Sequence, residues 1–150
     1  MIQRFEDFVS LINTAYKDLQ KVKSHEVESI GLKGSHVMCM FYLGQHEEGL
    51  TSGELCAKCR EDKAAISRNL KCLQEKGYVT VSVDDEKKYK LKNVLTPKGR
   101  EAYYQLEMLI REMVNKFGKG LTEKERNVFY KALGVIVGNF DAFCNSLDDK

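Results

Sequence analysis

The sequence predicts a mainly α-helical fold with one small β-hairpin wing, a winged helix-turn-helix core held between long flanking helices. Three observations predict it. Apolar residues recur at spacings of three and four along most of the 150-residue chain. One stretch, residues 78–95, changes to strict alternation around a charged centre. Just ahead of it stand a short capped helix, a tight turn and a second helix.

The elements follow in order. Ile2, Phe5, Phe8, Val9, Ile12, Tyr16, Leu19 and Val22 lie on one face of an amphipathic helix over residues 2–23. A second helix is predicted over 34–46, carrying Val37, Met38, Phe41 and Tyr42. Thr51 and Glu54 have the spacing of a capping box, so a short helix starts at about 52 and runs to about 59. Asp62 is a suitable N-cap for a helix over 63–76, and Gly77 suits the residue beyond its end. Val79, Val81 and Val83 are expected to face inward from the first strand. Tyr89, Leu91 and one of Val94 or Leu95 are expected to do so from the second. Pro97 opens a long helix, since proline fits the first helical turn. Thr122 and Glu125 form another capping box, for a last helix reaching about residue 146. Residues 1–30 and 97–150 thus form a helical region around a winged lobe at 31–96, within a single domain.

Composition narrows the function. Hydrophobic residues make up 43% and charged residues 31%, the balance of a chain with its own core. The apolar run from Val37 to Leu43 is too short to cross a bilayer, so no membrane partner is expected. The opening MIQRFEDF lacks the features of a secretory leader, which gives a cytoplasmic expectation. The formal net charge is only +2, yet residues 51–100 hold 12 Lys and Arg against 7 Asp and Glu. The rest of the chain is net acidic. A polyanion would therefore meet the middle third.

Within the 63–76 helix, Ile66, Leu70 and Leu73 form an apolar stripe, and Lys63, Ala64, Ser67, Arg68 and Lys71 occupy the opposite side. Such a helix can anchor itself on one face and enter the DNA major groove with the other. Ala64 permits close approach, Ser67 can bond a phosphate or a base edge, and Arg68 can make a bidentate pair with guanine. Lys63 and Lys71 suit phosphates. Lys87, Lys88, Lys90 and Lys92 place further charge on the hairpin, close in sequence to Lys98 and Arg100. Asp84, Asp85 and Glu86 oppose them at its tip.

The segments LCAKC at 55–59, DKAAISRNL at 62–70, LQEKGYV at 73–79 and LTPKG at 95–99 closely resemble the MarR family of bacterial regulators. Long helices flank the winged core on both sides, so the resemblance covers nearly the whole chain. It implies a homodimer in which the first helix and the last two intertwine, bound to a palindromic operator on double-stranded DNA, usually as a repressor. Lys63, Ala64, Ser67 and Arg68 match the family's groove-facing positions. The wing departs from the family, because its tip lacks the arginine that often enters the minor groove. Lys87 or Lys88 would have to serve there. Some members of the family bind a small phenolic or lipophilic effector, and Tyr16, Met38, Phe41, Tyr42 and Tyr103 are the candidates for such a pocket, although ordinary core packing explains them as well. The dimer also has a basis in the residues. Phe5, Phe8, Phe129, Phe140 and Phe143 on the terminal helices exceed what a small winged lobe can cover.

Other chemistries find little support. Cys56 and Cys59 form a C-x2-C pair that could ligate a metal or sense oxidation, but no second pair follows and packing is favoured. Cys39 and Cys144 read as core. His25, His36 and His46 are scattered, so no metal and no cofactor are expected. No phosphate loop, G-x-S-x-G or H-E-x-x-H occurs, so the chain is not expected to be an enzyme. The remaining rival is a winged helix that binds another protein. Its binding would survive loss of Arg68 and Lys71.

Overall fold

A computed structural model describes residues 2–82 and 91–148. Two compact units divide the chain, Met1–Ile110 and Arg111–Lys150.

In the first unit, α1 (Ile2–Glu28) precedes a 3-10 turn at Gly34–His36 and α2 (Val37–Gln45). Two helices joined by a tight turn follow, α3 (Ser52–Cys59) and α4 (Lys63–Glu75). Strands β1 (Val79–Ser82) and β2 (Lys92–Leu95) pair antiparallel, with Val79 opposite Leu95 and Val81 opposite Asn93. Helix α5 (Pro97–Phe117) starts in this unit and ends in the second, where α6 (Glu123–Asp148) follows.

The caps form as their spacing predicts. The Glu54 amide donates to Thr51 Oγ1 at 3.2 Å, and the Thr51 amide donates to the Glu54 carboxylate at 2.8 Å. Asp62 accepts from the Ala65 amide at 2.7 Å. Arg60, at φ 53°, takes the left-handed conformation that ends α3 and turns the chain into α4. Thr122 and Glu125 repeat the reciprocal cap at α6.

The core of this unit gathers Val27, Leu32, Val37, Met40, Leu43, Leu50, Leu55, Ile66, Leu70, Leu73, Val79 and Leu106. Helix α5 approaches α2 closely. The Tyr103 ring lies directly on Gly44, where any Cβ would overlap it. A Cβ at Gly99 would likewise strike the Tyr78 carbonyl, so the first turn of α5 passes β1 only because residue 99 is glycine.

The wing differs from expectation in two respects. Val81 and Leu91, expected to face inward, are exposed to 42% and 63%. By register Val81 shares the face of buried Val79, but the two-stranded ribbon has already run past the edge of the core there. The buried residue of β2 is polar. Asn93 exchanges backbone hydrogen bonds with Leu50 at 2.8 and 3.0 Å, and its Nδ2 donates to the Leu50 carbonyl at 3.2 Å. Leu50 therefore adds a third, one-residue rung to the hairpin. Val83 and Tyr89, also expected to face inward, lie outside the described residues.

Candidate nucleic-acid interface

Helix α4 has the two faces its sequence predicts. Ile66, Leu70 and Leu73 are buried, whereas Lys63, Ala64, Ser67, Arg68 and Lys71 are all exposed. Three further contacts fix its orientation. Asp62 caps its first turn, Asn69 Nδ2 donates to the Ser35 carbonyl at 3.0 Å, and α3 packs against it. Among the described residues, no hydrogen bond or ion pair within the chain occupies the side chains of Lys63, Ser67, Arg68 or Lys71. Three cations and a hydroxyl are thus presented to solvent on a rigid helix over about two turns.

Basic residues near the end of α4 are used differently. Lys76 Nζ donates to the Gly31 carbonyl at 2.7 Å. Lys98 Nζ donates to the Lys76 carbonyl at 2.7 Å and sits 4.7 Å from the centre of the Tyr78 ring. Arg100 Nη1 donates to the Gly44 carbonyl at 2.8 Å. Their closeness in sequence to the wing suggested a shared electrostatic role, and the structure gives Lys98 and Arg100 internal ones. Lys92 is half-buried at the start of β2, and Lys87, Lys88 and Lys90 lie outside the described residues.

Sequence reasoning missed Asn69 as the residue that holds α4 to the turn before α2. The only local signal was an amide three residues after Ile66, at the border of the apolar stripe. It also missed what surrounds His36, which is buried and accepts from the Lys33 amide at 3.2 Å through Nδ1. Burial, then the charges of Lys76 and Lys33, push its pKa from 6.5 down to about 4, so the ring is neutral near pH 7.

The five effector-pocket candidates divide. Tyr16 and Met38 line a cavity of about 150 Å³, which Lys23, Ser24, Cys39, Cys59 and Asn69 also border. Phe41 and Tyr42 meet edge-on at 5.6 Å, and Tyr103 lies against Gly44. None of these three lines that cavity. Cys59 does not pair with its sequence neighbour Cys56. Its sulfur instead stands 4.0 Å from that of Cys39. Cys144, expected in the core, is exposed. Among the described residues, no group of three His, Cys, Asp or Glu side chains is arranged to hold a metal ion. No helix there is long and apolar enough to cross a membrane.

A helix anchored by one face, presented by a tight turn and followed by a hairpin defines a winged helix-turn-helix protein. Residues 30–88 match the family model described as MarR family. A MarR family transcriptional regulator of Silicibacter pomeroyi is 27% identical, with 86% of each chain covered and a TM-score of 0.72. A MarR/EmrR family regulator of Acinetobacter sp. ADP1 is 22% identical, with 95% of this chain and 99% of that one covered and a TM-score of 0.82. A MarR family regulator of Listeria monocytogenes, solved in complex with a 26mer DNA, is 22% identical over 87% of each chain, with a TM-score of 0.76. No curated protein is similar enough to match. Residues 30–88 thus resemble the MarR family, and the similar solved structures are described as transcriptional regulators.

Proposed function

We propose that this chain is a sequence-specific DNA-binding transcriptional regulator that acts as a homodimeric repressor on a palindromic operator. The observation that carries this reading is the outer face of α4. Lys63, Ser67, Arg68 and Lys71 are exposed and, among the described residues, engaged in nothing else, on a helix whose other face is buried. In the groove, Arg68 reads a guanine edge, Ser67 bonds a base or phosphate, Ala64 allows close approach, and Lys63 and Lys71 hold phosphates. Lys87, Lys88 and Lys90 supply backbone contacts from the wing. That a relative of the same fold is solved with a 26mer DNA supports the partner.

The dimer reading is supported by apolar residues exposed on α1 and α6. Phe5 on α1 and Phe129, Phe140 and Phe143 on α6 are each at least half exposed. A symmetric partner that covers them also supplies the second recognition helix a palindrome requires. Residues 1–30 and 97–150 are the dimerisation region in this reading, and 31–96 the DNA-binding lobe. Release by a small-molecule effector and a cytoplasmic location complete it.

The test is binding to DNA from upstream of the protein's own gene, titrated across salt with a scrambled duplex as control. The reading predicts tight binding that resists competitor and falls steeply with salt, with a slope set by the number of phosphates neutralised. Absence of binding to either duplex at low salt would favour a protein-binding winged helix instead.

A further inference from the structure

Three side chains from α4 and the start of β1 bond to carbonyls of the linker between α1 and α2. Asn69 Nδ2 donates to Ser35 at 3.0 Å, Lys76 Nζ to Gly31 at 2.7 Å and the Tyr78 hydroxyl to Ile30 at 3.2 Å. The linker is pinned from its other side as well. A Cβ at Gly34 would come within 2.7 Å of Ser24 Oγ and 3.3 Å of the Ser24 amide nitrogen, so the turn at Gly34–His36 lies directly on α1. Ser35 thus offers α4 an acceptor whose place the rest of the lobe holds.

The three donors do not constrain α4 equally. Lys76 stands beyond the last turn of α4, on a flexible four-carbon stem. Asn69 is half-buried in the middle of the helix, and its amide is only one carbon away from Cβ. Among the described residues, it is the only side chain within Lys63–Glu75 that hydrogen-bonds to another element. The Asp62 cap lies inside the first turn of α4 itself. Burial of Ile66, Leu70 and Leu73 selects which face turns inward, but it is non-directional and tolerates a few degrees of rotation. A hydrogen bond is directional. We infer that Asn69 is a positioning residue for the reading of DNA: its bond to Ser35 sets the rotation of α4 about its own axis, and with it the aim of the adjacent Arg68.

This role rests on the DNA-binding reading and gives it a specific signature. The end of a side chain about 6 Å from the helix axis moves about 1 Å when the helix turns by about 10°. A bidentate pair between Arg68 and guanine needs both N–H groups in line and loses its geometry over such a distance. A lysine facing a phosphate acts as a point charge with rotatable donors and keeps most of its attraction. Loss of the Asn69 bond should therefore reduce sequence discrimination and leave the electrostatic part of binding nearly intact.

The test is a double-mutant cycle on operator and scrambled duplexes, under conditions where unfolding curves show every variant folded. Asn69→Ala should bind the operator about tenfold more weakly, within the loss caused by Arg68→Ala, with its salt slope and its affinity for scrambled DNA unchanged. In an Arg68→Ala background the same substitution should change operator affinity by less than about twofold, because nothing is left to aim. Asn69→Gln keeps a donor on a longer stem and should lose less than Asn69→Ala. Lys76→Met removes another bond to the same linker and should keep full discrimination. Full discrimination in Asn69→Ala, additive losses in the cycle, equal losses in Asn69→Ala and Asn69→Gln, or a loss of discrimination in Lys76→Met as large as that in Asn69→Ala would each overturn the positioning role while leaving the DNA-binding reading in place. An unchanged protein that does not discriminate operator from scrambled DNA would overturn both.

Discussion

Two groups of basic residues stand near one another in sequence and do opposite work. Lys63, Arg68 and Lys71 lie along the outer face of α4 and bond to nothing within the chain among the described residues. Lys76, Lys98 and Arg100 each donate to a backbone carbonyl, and they tie the end of α4, the start of α5 and the end of α2 together. Charge alone does not separate the groups. What separates them is whether the fold has already supplied an acceptor. Cations without one are available to a ligand, and cations with one stabilise the lobe. Substitutions in the first group should change binding and spare stability, and substitutions in the second should do the reverse.

The largest effect tests one member of the second group, Lys76, through the buried ring of His36. Lys76 and Lys33 both oppose a positive charge on buried His36. The folded state therefore refuses a proton that the unfolded state accepts below pH 6.5, so stability falls as pH drops from 6.5 toward about 4. The contribution lost reaches roughly 3 kcal/mol across that window. Denaturant unfolding of the protein and of His36→Gln should show the difference, with a flatter acid limb in the variant. Equal limbs would mean that His36 titrates normally. Next in size is Arg100→Met, which keeps the aliphatic stem and removes the bond to Gly44. It should lower unfolding free energy by about 1.5–3 kcal/mol while leaving operator preference intact. A variant of normal stability that no longer discriminates operator from scrambled DNA would move Arg100 into the first group. The smallest effect is that of Lys71→Ala. Its unfolding midpoint should not move, and the slope of log K against log salt should drop by about one phosphate's worth. An unchanged slope would take Lys71 out of the interface.

How much the sequence disclosed follows the range of the interactions. The caps of α3, α4 and α6 were legible because a capping pair is separated by only three residues. The two faces of α4 were legible because helical periodicity is local. The Leu50–Asn93 rung was not, since nothing near either residue marks a pairing across 43 positions. Nor was the Cys39–Cys59 contact, and the C-x2-C spacing directed attention to Cys56 instead. The roles of Lys98 and Arg100 were hidden for the same reason, as their acceptors lie on other elements. Val81 illustrates a different limit. Alternation gave its face correctly but not where the core ends beneath it.

The central claim is that the outer face of α4 reads DNA sequence, and Arg68→Ala tests it most directly. Binding of the variant and the unchanged protein should be titrated against operator and scrambled duplexes at one salt concentration, with unfolding measured in parallel. The account predicts a loss of about 1–3 kcal/mol on the operator, a smaller loss on the scrambled duplex and an unmoved unfolding midpoint. Full operator affinity with full discrimination in the variant would contradict it.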